Sequence, residues 1–116
     1  MDQTVQERVI EHRLSLHQEL IEILGTQNEA KSRVYYQPPE SIKMEYPAIV
    51  YRKDGGRIFR ANNKAYLGKQ QYQVMVIDSD PDSAICHQIL THFMLCEYDR
   101  SYTADNLYHD VLTLYY

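Results

Sequence analysis

Apolar residues fall on two interleaved lines near the start of the chain. Thr4 followed by Glu7 has the form of a capping box. Val9, Leu16, Leu20 and Ile23 keep helical spacing, and Ile10, Leu14, Ile21 and Leu24 form a second line about 100° away on the same wheel. The pattern predicts one long helix over 4–24 with a wide buried face, stopped by Gly25, which can supply a left-handed terminal residue. Glu7, Arg8, Glu11, Arg13, Glu19 and Glu22 cover the remaining surface, so the helix is expected to pack on a sheet or to continue onto a partner subunit. No sustained heptad argues for a coiled coil.

After the polar connection 27–32 the period changes from helical to alternating. Val34-Tyr35-Tyr36 favours a short edge strand, halted by Pro38-Pro39, which cannot continue a ladder. From Pro47 to Lys53, Ala48 and Val50 point one way and Ile49 and Tyr51 the other, as in a central strand with two apolar faces. Asp54-Gly55-Gly56 signals a reversal, and 57–69 mixes strand formers with Asn62-Asn63 and Gly68, so 54–69 is read as a partly irregular extended arm. Gln70 to Ile77 alternates cleanly, with Tyr72, Val74 and Val76 on one face and Met75 and Ile77 on the other. Asp80 as cap and Pro81 in the first turn predict a helix over about 81–95, whose apolar side carries Ile85, Ile89 and Phe93. Glu97 to Thr103 and Tyr108 to Tyr116 alternate again as two final strands, the first with Tyr98, Arg100 and Tyr102 on one face. The order implies one α+β domain over 1–116, with a mainly antiparallel sheet of four to five strands, a long N-terminal helix within 1–25 and a second helix on the same face.

Composition adds exclusions. A chain of 116 residues has room for one core, and a net charge of −4 lacks the basic excess that drives generic binding to nucleic acid. No apolar run is long enough to span a bilayer, and the polar start MDQTVQERVIEH is unlike a secretion signal, so the chain is expected to begin in the cytoplasm. Cys86 and Cys96 make no disulfide framework and read as small buried side chains. The aromatic residues are 11 Tyr and 2 Phe with no Trp, all beyond position 34.

Candidate chemistry is sparse. His12 and His17, like His87 and His92, are five apart, which turns them away from one another on a helix, and the fifth histidine, His109, has no partner spacing. Asp78, Asp80 and Asp82 resemble the start of a calcium loop, but Ser83 stands where its glycine belongs and Ile89 where its bidentate Glu belongs. Gly55-Gly56 lacks the spacing of a phosphate loop. No catalytic, metal or cofactor site is expected, and the chain is read as a non-enzyme. Charge is divided, however. Residues 52–70 carry Arg52, Lys53, Arg57, Arg60, Lys64 and Lys69 against Asp54 alone, net +5, whereas 71–116 carry seven carboxylates against Arg100, net −6. Such a division suits an ordinary solvated arm, or a basic arm that meets an acidic surface on an identical neighbour. Stacking of Tyr51, Phe59 and Tyr66 on single-stranded nucleic acid is a third reading, which the acidic total disfavours.

The segments YYQPPESIKMEYPAIVY at 35–51, VIDSDPDS at 76–83 and YTADNLYHDVLTLYY at 102–116 resemble a family of bacteriophage virion proteins, the tail-terminator and head-tail joining proteins of long-tailed phages. The resemblance implies a structural protein that forms a homo-oligomeric ring, a hexamer in that family's manner, on the tail tube and meets the head connector or head-closure protein. It implies a place at the virion neck after assembly in the host cytoplasm, with no membrane and no sequence-specific nucleic acid as partner. Arg52, Lys53, Arg57, Phe59, Arg60, Lys64, Tyr66, Asp99 and Asp105 are the expected interface residues. Another neck component, a head-closure or minor capsid protein, is the alternative, followed by a small protein that binds nucleic acid or a host factor.

Overall fold

The computed structural model describes residues 3–28, 33–54, 60–61, 64–65 and 70–116. Helix α1 runs from Gln3 to Asn28 and α2 from Ala84 to His92. Five strands, β1 (Val34–Tyr36), β2 (Ala48–Lys53), β5 (Gln71–Asp78), β6 (Cys96–Ala104) and β7 (Leu107–Tyr115), form one sheet in the order β1-β2-β5-β7-β6. Between β2 and β5, β3 (Arg60–Ala61) and β4 (Lys64–Ala65) pair as a separate antiparallel ribbon within the predicted arm. The Gly55-Gly56 turn lies outside the described residues.

The fold is α+β, as the element order implies. The sheet is antiparallel except at one edge, where β1 runs parallel to β2, Val34 opposite Ile49. Eleven residues, 37–47, carry the chain back between them. Two side chains near β1 fasten that return. Arg33 donates from Nη1 to the Tyr46 carbonyl at 2.7 Å and pairs with Glu45 at 3.4 Å, and the Tyr35 hydroxyl accepts from the Glu45 N–H at 3.2 Å.

Alternation sorts the strands' two faces. Ile49 and Tyr51 of β2, Tyr72, Val74 and Val76 of β5, and Leu112 and Leu114 of β7 are buried in one cluster with Leu16, Leu20, Ile23 and Leu24 of α1 and Ile85 and Ile89 of α2. Both helices therefore cover the same face. Burying such a set supplies most of the driving force for folding, at about 1.5–3 kcal/mol for each fully buried aliphatic side chain.

Three local expectations are corrected. Helix α1 does not stop at Gly25 and passes through it to Asn28, and Thr4 lies inside the helix instead of capping it. A glycine inside a helix costs about 1 kcal/mol, which neighbouring buried Ile23 and Leu24 readily offset. Helix α2 is shorter than 81–95: Ser83 is its N-cap, its Oγ accepting from the Ile85 N–H at 3.3 Å. Asp80 caps nothing helical, since its carboxylate accepts from the Asp82 N–H within the preceding turn at 2.9 Å. Finally, a bulge in β6 between Tyr98 and Arg100 shifts the register, so Tyr98 opposite Leu112 faces the helices while Arg100 opposite Val111 faces away. Simple alternation had placed Tyr98, Arg100 and Tyr102 together.

Candidate functional site

The wide buried face expected of α1 is only half realised. Leu16, Leu20, Ile23 and Leu24 are buried, but Ile10 and Leu14 remain 43% and 49% exposed. Helical spacing explains the split. At about 100° per residue, Leu14 lies roughly 160° around the helix from Leu16, on the side away from the sheet. Glu7, Ile10, Glu11 and Leu14 stand at i, i+3, i+4 and i+7, and all four are exposed.

The sheet face opposite the helices carries the second feature. There Val50 and Arg52 of β2, Gln73 and Met75 of β5, and Arg100 and Tyr102 of β6 line an open trough of about 750 Å³, walled by Pro38, Pro39 and Met44 of the return segment and reached by Lys53. Its lining is mixed: Val50, Met75 and Met44 supply apolar surface, Gln37 and Gln73 amides, Arg52, Lys53 and Arg100 positive charge, and Glu40 a carboxylate. Tyr102 is held in place by stacking on His109, centroids 4.6 Å apart at 11°, and its hydroxyl approaches Met75 Sδ at 3.7 Å. Arg52 is steadied by its Nε bond to Gln73 Oε1 at 3.0 Å, and Arg100 lies 3.4 Å from Asp99.

Charge is also separated along the strands. β2 ends at Lys53, opposite Tyr72, and the chain leaves the sheet at Asp54 and re-enters at Gln70, so the basic segment is attached at that end. The other end holds Asp78, opposite Tyr108, followed by Asp80 and Asp82, and the Asp105-Asn106 turn of the β6–β7 hairpin. Both turn residues have positive φ, 52° and 62°, as a two-residue reversal of this hand requires. Seven rises of about 3.4 Å along β5 put the two ends about 24 Å apart.

Of the expected interface residues, Arg52 and Lys53 meet at the trough, Asp99 lies at the β6 bulge beside Arg100, and Asp105 occupies the hairpin turn at the opposite end. Arg60 and Lys64 are placed by backbone alone, in the paired ribbon, one residue out of register with each other. Arg57, Phe59 and Tyr66 lie outside the described residues. Arg100 and Tyr102 belong to the trough and were not anticipated there, because the bulge that turns them to this face has no signature in the alternation.

The titratable groups beneath α1 serve packing. Burial, then the positive charge of Arg13, lowers the pKa of His17, whose Nδ1 lies 2.6 Å from the Tyr51 hydroxyl. Glu19 receives the Tyr116 hydroxyl and pairs with His92 at 2.9 Å. Burial opposes its charge, but hydrogen bonds from Tyr116 and His92 and the charge of His92 together hold its carboxyl below the usual range. Both thiols are pushed up to about 11, Cys86 chiefly by burial and then by Asp110, Cys96 by burial and then by Cys86 and Glu97. Among the described residues no three His, Cys, Asp or Glu side chains are grouped so as to hold a metal, and no helix is long and apolar enough to cross a membrane.

No family model, curated protein or solved structure matches the chain. The surfaces themselves therefore carry the functional reading.

Proposed function

We propose that the protein is a structural virion component that assembles with copies of itself into a ring at the head-proximal end of a phage tail, as a tail terminator. The observation that carries the reading is the separation of charge along the strands, with the basic segment attached at the Lys53–Gln70 end and Asp78, Asp80, Asp82 and Asp105 at the other. A molecule with complementary ends favours head-to-tail contacts, and such contacts close into a ring when the rotation per subunit allows. The trough and the outer stripe of α1 add two more surfaces that stand open among the described residues. The resemblance of residues 35–116 to phage neck proteins supports a place between the tail tube and the head connector or head-closure protein, with six as the expected ring number. It equally accommodates a head-closure or minor capsid protein one level along the neck.

Purified protein added to tail tubes that lack a terminator tests the reading. Electron microscopy is expected to show a ring on one end of each tube, after which the capped tubes join to heads. Protein that stays monomeric alone and never attaches to tubes would contradict it, and rings that bind heads but not tubes would assign the protein to the head-closure level.

A further inference from the structure

We propose that the contact between subunits is made by the outer stripe of α1 seating in the open-face trough of the next copy. Ile10 and Leu14 would lie on Val50 and Met75, with Glu7 and Glu11 against Arg52, Lys53 and Arg100. The inference rests on the assembly reading above and adds a contact between faces to the charged ends that favour head-to-tail order. Three observations carry it.

The first is chemical match. The stripe offers two aliphatic side chains flanked by two carboxylates on one side of a helix, all exposed. The trough offers the apolar side chains of Val50 and Met75 among two guanidinium groups and an ammonium group, which outnumber its one lining carboxylate among the described residues, Glu40. Each is the complement of the other in polarity and in sign, which is what selects a partner and fixes its register.

The second is form. A helix presents such a stripe as a ridge, and side chains at i, i+3, i+4 and i+7 share one line along it. The return segment lines the trough from the β1–β2 edge of the sheet and Tyr102 from the β6 edge, leaving a concavity that can take a ridge. Tyr102 is already fixed by His109 and Met75, so little order has to be gained on docking.

The third is topology. The stripe faces outward from α1, α1 covers one face of the sheet, and the trough lies on the opposite face. One copy cannot join its own two surfaces. A copy that gives its stripe to one neighbour still offers its trough to another, so the contact repeats, as a heterologous ring requires.

The test uses the full chain. One version carries Leu14→Cys and another Met75→Cys, and they are mixed under mild oxidation with each version alone as control. The mixture is expected to give a linked dimer whose joined peptides contain positions 14 and 75. In parallel, Glu7→Lys with Glu11→Lys, and Arg52→Glu with Arg100→Glu, are each expected to weaken self-association about tenfold or more without changing the melting temperature. Combining both reversals in one chain is expected to restore much of it. If wild-type protein associates but the link is absent and both reversals are silent, the stripe-to-trough contact is wrong, another occupant fills the trough, and the assembly reading stands. If wild-type protein associates neither alone nor on tail tubes, the assembly reading fails and takes this contact with it.

Discussion

His17 Nδ1 lies 2.6 Å from the Tyr51 hydroxyl, joining the middle of α1 to β2. Tyr51 is fully buried, with Tyr36 at 4.9 Å and Tyr72 at 6.1 Å between ring centroids, and Arg13 sits 4.3 Å above the Tyr36 ring. The tyrosines thus fill the space between helix and sheet as large apolar plates with polar tips. Tyr51→Phe keeps the plate and removes the tip. The variant should lose about 1 kcal/mol in urea unfolding, the ordinary net worth of a part-buried hydrogen bond, and an unchanged midpoint would mean that the bond contributes nothing.

The same pair sets a pH dependence. The His17 pKa is lowered from 6.5 in the folded chain, first by burial and then by Arg13. Below pH 6.5 the unfolded chain takes up this proton while the folded chain resists it, so stability from this group is full above that pH and falls as the pH drops further. Urea midpoints measured at about pH 7.5 and 5.5 should show the decline, and His17→Gln should flatten it.

Glu19 has the same sign of proton linkage in a lower window. Its folded pKa lies below 4.5, so its contribution is present above that value and is lost as pH falls through the folded pKa. Glu19→Gln removes the charge that His92 and Tyr116 share and should cost about 1 kcal/mol at neutral pH, modest because the pair is partly exposed. An acid-unfolding curve identical to that of the native chain would exclude this role.

With both thiols pushed up to about 11, Cys86 and Cys96 are almost wholly protonated near neutrality. Native protein at about pH 8 should react with iodoacetamide far more slowly than the same chain in guanidinium. Equal rates in the two states would show the thiols to be accessible and ordinary.

Two leucines on one helix separate folding from assembly. Leu20 is fully buried, and Leu20→Ala should cost about 2–5 kcal/mol of stability. Leu14 is half exposed, and Leu14→Ala should change folding stability by no more than about 0.5 kcal/mol while weakening self-association. Loss of stability at Leu14, or none at Leu20, would invert the assignment of the two faces.

Much of this architecture is written in local periodicity. The alternation of β2 and β5 gives their limits to within a residue and assigns Tyr51 and Tyr72 against Val50 and Met75 to opposite faces. Helix ends were less legible. Asp80, Asp82 and Ser83 are all short polar acceptors able to cap, and what selects Ser83 is that Ile85, Cys86 and Ile89 then reach the core, a tertiary condition. The parallel pairing of β1 also depends on where the return segment packs, fixed by Arg33 and Tyr35 rather than by strand propensity. The candidate surface was half visible. Arg52 and Lys53 stand out in any reading of charge, but Arg100 and Tyr102 join them only through the β6 bulge, and Ile10 and Leu14 look like core until the helix is set on its sheet.

Sedimentation equilibrium over a range of protein and salt concentrations tests head-to-tail assembly most directly. The account predicts masses that rise with protein concentration toward a closed multiple of 13.7 kDa and fall back as salt screens the opposed charges. A single 13.7 kDa species at every protein concentration and at low salt, unaltered by added tail tubes, would contradict it.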